Sequence, residues 1–117
     1  MMTNDATEKL ERWLNRFRLA IRAKAEAEAD HSMLCEQKKV ILASLMQAAE
    51  ESGHASIAAQ EREARAAEEY RDFLITVREA EVAAKLAAGE VEALRLQFDG
   101  MRTIRASERV EARAYAT

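Results

Sequence analysis

One apolar line of eleven positions constrains this chain more than any other feature. From Ala66, alternating steps of four and three reach Tyr70, Phe73, Val77, Ala80, Ala84, Ala87, Val91, Leu94, Phe98 and Met101, and all are apolar. The mean step of 3.5 lies next to the 3.6-residue turn of an α-helix and far from the two-residue period of a strand. The spacing therefore predicts a helix that buries a narrow stripe against another helix. The chain of 117 residues has no proline and three glycines, so it offers few turns. Its wealth of Ala, Glu, Arg and Leu points the same way, to long helices in place of a turn-rich globule. The middle of the stripe is Ala80, Ala84 and Ala87. Such small side chains let a partner backbone approach closely at the expense of buried area. The next seam position is Arg105, with Ile104 beside it, so the register ends or shifts there.

The sequence breaks once between long periodic segments, at "EESGHAS", Glu50 to Ser56. Gly53 suits a left-handed helix end, and Ser56 suits the N-cap of the second helix, with Ser52 as the alternative. Asp5 followed by Glu8 resembles a capping box that opens the first helix. The reading is all-α: an antiparallel two-helix hairpin, a coiled coil, forming one domain over residues 1–117. Helix 1 runs from about 5 to 52, the turn from about 53 to 55, and helix 2 from about 56 to 114. Helix 1 carries one apolar band at Leu10, Trp13, Leu14, Phe17, Ala20 and Ile21 and another at Leu34, Ile41, Leu42, Leu45 and Ala48. Alanine is almost the only apolar type between them, as in the middle of helix 2. Trp13 with Leu14, Ala20 with Ile21 and Ile41 with Leu42 spread the apolar arc wider than one partner helix covers. A homodimer with a four-helix arrangement is therefore expected. Gly89 and Gly100 sit inside helix 2, off the seam; Gly100 would permit a bend.

The last third of the chain is rich in arginine. Arg95, Arg102, Arg109 and Arg113 fall in one narrow arc of a helix, with Arg105 nearby. Residues 1–25 hold six basic and three acidic side chains, residues 95–117 hold five and three, and residues 26–94 hold seven and fifteen. A hairpin folded at Gly53 would bring both basic segments to its open end. The candidate contact residues for an acidic partner or nucleic acid are Arg12, Arg16, Arg22, Arg95, Arg102, Arg105, Arg109 and Arg113. The plainer account, solvated flanks beside a packing seam, is the stronger of the two, since Glu108 and Glu111 interleave with the arginines. Nucleic-acid binding is the weaker reading. Single-stranded targets need stacking aromatics, and Tyr115 is the only candidate near the stripe, because Trp13 and Phe17 belong to the core.

Catalysis, cofactors and metals find no support. No glycine-rich phosphate loop, nucleophile elbow or paired metal motif occurs. His31 and Cys35 stand at i and i+4, which can chelate a metal, but two ligands do not make a site; a partly buried pair in the seam is expected. The lone Cys35 excludes an internal disulfide. No apolar run approaches the ~20 residues of a membrane span, and a soluble cytoplasmic protein is expected.

From the turn onward the segment carries Ser56, Glu61 and Ala64, then Tyr70, alanine-rich spacing, Phe98 and Arg102, with Arg109 following. In this it resembles a loose family of small helical proteins of tailed phages and prophages. The resemblance covers about half the chain. It implies an accessory protein of the bacterial cytoplasm, encoded near recombination genes, and no site residues. The expectation is a non-enzymatic interaction module of phage DNA metabolism whose partners are itself and a phage or host protein. The alternatives are a small inhibitor of a host defence nuclease, using the acidic middle, and weak nucleic-acid binding by the basic end.

Overall fold

A computed structural model describes residues 4–116. Among them are three helices and no strand: α1 (Asn4–Glu51), α2 (Ile57–Ala66) and α3 (Glu68–Ala116). The contacts divide into two compact units. Unit 1 comprises the start of α1 up to Lys24 and α3 from Ala87 onward; unit 2 comprises residues 25–86.

The turn in unit 2 is built by its hydrogen bonds. Gly53 has φ 105°, a conformation that costs an L side chain about 1–2 kcal/mol. Its N–H donates to the Glu50 carbonyl at 3.1 Å, and the His54 N–H donates to the Ala49 carbonyl at 3.1 Å. These are the two bonds of a Schellman motif, and they satisfy carbonyls that the end of α1 would leave open. Ser56 then caps α2: its Oγ accepts from the Ala59 N–H at 3.1 Å. At the other end of α1, Asp5 lies within the first turn and does not precede it. It favours the positive helix end by charge, and the expected capping box is not formed there.

The expected single second helix is two helices. At Ala67 the backbone is extended (φ −63°, ψ 136°). Its N–H reaches back only three residues, to Ala64 at 3.2 Å, and its carbonyl accepts the Arg71 N–H at 3.1 Å, opening α3. The reason lies in two buried side chains. Ala64 is 1% exposed and Tyr70 4%. Six residues apart on an unbroken helix, they would point about 120° away from each other; the break lets both face inward. Glu68 and Glu69 in the first turn of α3 and Arg65 in the last turn of α2 match the helix dipoles at the junction. Arg65 bridges it, held by Glu61 at 2.9 Å and lying 5.9 Å over the Tyr70 ring. The hydrogen bond and charge of Glu61, then the charge of Tyr70, bind its proton more tightly than usual.

From Tyr70 to Phe98 all nine seam positions of α3 are buried or half-buried, whereas Ala66 and Met101 at the two ends are exposed. The break accounts for Ala66. In α1 the inward line is also continuous, through Trp13, Phe17, Ala20, Lys24, Ala27, His31, Leu34, Lys38, Ile41 and Leu45, each half-buried or buried. The apparent gap in helix 1 is thus an unbroken 4–3 register interrupted chemically by Lys24, His31 and Lys38, seven residues apart. Long amphipathic side chains can lay their stems along a seam while the head stays hydrated.

Candidate functional site

Unit 1 contains the arginine-rich end. Its core is Ala20, Val91 and Leu94, with Trp13 and Phe17 packed on it. Trp13 stacks on Phe17 (centroids 5.0 Å, planes 11° apart) and on Phe98 (4.7 Å, 26°). Its indole Nε1–H donates to the Leu94 carbonyl at 3.0 Å. This bond ties the start of α1 to α3 in antiparallel sense. Arg95 extends the pile, its guanidinium carbon 6.0 Å over the Phe17 ring.

Beyond this aromatic stack the seam opens into a groove of about 280 Å³. Leu10, Phe98 and Met101 give it an apolar floor, and Lys9, Arg102 and Arg105 surround it with cations; among the described residues lining it, Asp5 is the one acidic group. A shallower concavity continues along α3 between Arg102, Arg105 and Arg109, beside Asp99. The Arg109 Nε–H donates to the Arg105 carbonyl at 3.4 Å, which aligns its guanidinium along the helix.

The eight arginines singled out by sequence do not form one site. Arg102 and Arg105 share the groove, and Arg109 joins them along α3. Arg16 turns to Glu90 across the helix pair at 3.5 Å. Arg12 lies 3.9 Å from Glu8 on its own helix. Arg22 is exposed on α1, Arg95 is committed to the Phe17 ring, and Arg113 stands in the last turn of α3. Lys9 and the apolar floor escaped sequence reasoning. The signal for them was the exhausted register itself: Leu10, Phe98 and Met101 are the last apolar layers before the seam reaches Arg105.

Elsewhere the chemistry is sparse. The Cys35 thiol lies 3.5 Å from His31 Nε2. Among the described residues no three His, Cys, Asp or Glu side chains gather as a metal would require. No helix of the described residues is long and apolar enough to cross a membrane. No protein-family model matches the chain, and comparisons with curated proteins and with solved structures find no relative.

Proposed function

We propose that the chain is a non-enzymatic coiled-coil interaction module that works as a homodimer. Its unit 1 groove takes a partner segment in which a large apolar side chain is flanked by carboxylates. The observation that carries the self-association is exposed apolar surface: within unit 1, Leu14, Leu19 and Ile21 on α1 and Leu96, Ile104 and Val110 on α3 all stand open to solvent, a surface that a second copy would cover. No large side chain among the described residues is fully buried. The groove supports the second half of the reading, because three cations around an apolar floor select a ligand that is both acidic and oily. The resemblance of the second half of the chain to small phage proteins supports a setting in phage DNA metabolism, with a phage or host protein as the partner.

Sedimentation equilibrium on the full chain between about 1 and 100 μM tests the dimer; a monomer throughout overturns it. Intrinsic fluorescence tests the groove, since the sole tryptophan stacks on its floor through Phe98. A dodecapeptide of glutamates around one central phenylalanine should shift Trp13 emission saturably, and the same peptide with alanine for phenylalanine should not.

The charge of unit 2 favours a second reading. It holds thirteen acidic and seven basic side chains, a surface suited to occupying the basic channel of a host defence nuclease. Loss of nuclease activity on adding the protein at equimolar ratio, relieved by salt, would support this reading; unaffected activity would remove it.

A further inference from the structure

The face of α3 that points away from the seam carries a second register. Starting at Leu96 and stepping alternately by four and three gives Gly100, Thr103, Ser107, Val110 and Ala114. No position on this line is charged, in a segment where one residue in three is. All six are exposed, Leu96 by 60% and Val110 by 65%. Gly100 adds an independent observation. A Cβ built on it meets nothing within 4 Å, so no contact within the chain requires a glycine there, although glycine weakens a helix interior relative to alanine. The missing side chain makes sense if another helix comes close from outside.

We propose that this face, Leu96 to Ala114 on α3, is a second helix seam occupied by the same face of a second copy, running antiparallel. The proposal rests on the self-association reading above and says where the copies meet. Complementarity selects the occupant. With Gly100 opposite Val110 of the second copy, Leu96 falls opposite its Ala114 and Thr103 opposite its Ser107, so large meets small and hydroxyl meets hydroxyl in successive layers. On one flank Asp99 faces Arg113 of the second copy, and two-fold symmetry makes this pair twice. On the other flank Gln97 faces Glu111, and Ile104, itself 60% exposed, meets its own counterpart at the axis. No like charges oppose one another in this register. A parallel pairing sets Asp99 against Ile104 and leaves Arg113 without an opposite charge. The overlap of nineteen residues spans roughly 28 Å of helix. Arg102 and Arg105 lie on the other side of α3, so the groove stays open when the copies pair.

Analytical ultracentrifugation of the full chain and its variants decides the matter, with circular dichroism to verify helix content. Leu96→Glu with Val110→Glu places four carboxylates in the contact and should raise the dimer Kd at least tenfold, with any loss of helix no larger than the stretch after Phe98. Asp99→Arg or Arg113→Asp alone should raise it about tenfold by opposing like charges. The two together should return it to within about threefold of the original, a rescue that only this register produces. A double-glutamate variant that dimerises as before, or a charge swap without rescue, overturns the proposal. If Leu14→Glu with Ile21→Glu abolishes the dimer while the α3 variants leave it intact, self-association stands and this face does not. A wild-type chain that is monomeric up to about 100 μM overturns both.

Discussion

Trp13 joins the two helices of unit 1 by a stack and a hydrogen bond, and the two contributions separate by substitution. Trp13→Phe keeps an aromatic between Phe17 and Phe98 but loses the donor to the Leu94 carbonyl. A net loss of about 1 kcal/mol is expected from the hydrogen bond, measured by urea unfolding. Trp13 and Phe17 were readable as core because both sit on apolar helical spacing. Lys24 and Lys38 were not, because a hydropathy pattern treats a charged group as outward-facing and ignores its stem; His31, expected half-buried beside Cys35, is so. Charge at the surface of unit 2 gives a sharper test. The Glu81 carboxyl accepts a hydrogen bond from Lys85 and feels its charge, opposed by some desolvation and helped by His31 and Arg78, so its pKa is lowered. A lowered carboxylate pKa adds stability above the unfolded-state value that is lost as pH falls through the folded-state value. Lys85→Ala should move the Glu81 titration upward toward the ordinary glutamate value, followed by carboxyl carbon NMR. Exposure of the pair keeps the consequence for stability small.

At the scale of elements, the turn was legible to within a residue because glycine and serine have few rivals at their positions. Gly53→Ala must adopt the same positive φ and should cost about 1–2 kcal/mol. Ser56→Ala removes the cap on α2 and should cost about 1 kcal/mol; thermal or chemical unfolding measures both. The break at Ala67 was hidden because alanine continues a helix as readily as any residue. The burial of Ala64 and Tyr70 on one side decides it, a tertiary demand that local propensity does not register. Only the pair Glu68 and Glu69, acidic at a helix start, hinted at it. The 4–3 line proved an accurate guide from Tyr70 to Phe98, where every position is buried or half-buried, the three central alanines included.

For the whole molecule, the two units carry opposite net charge, and salt distinguishes their uses. If the groove takes an acidic, apolar segment, Arg102→Ala with Arg105→Ala should weaken the phenylalanine-containing peptide about tenfold and reduce its salt dependence. Short double-stranded DNA bound through phosphates would lose affinity steeply between about 50 and 200 mM salt, with a slope that falls in the same variant. Anisotropy titrations with the two probes side by side separate these cases. The sequence exposed the arginines but not their division of labour, since Arg16 and Arg95 are drawn off by Glu90 and Phe17, which lie far away in the chain.

After Phe98, no residue of α3 through Ala116 is even half-buried. Most helical stability in proteins comes from packing one face of the helix, and this stretch packs none. Backbone amides from Asp99 onward should therefore trade hydrogen for deuterium within seconds in dilute solution, while those near Val91 hold theirs far longer. Raising the protein concentration should slow that uptake, turn by turn, wherever another molecule comes to lie along this last stretch of helix.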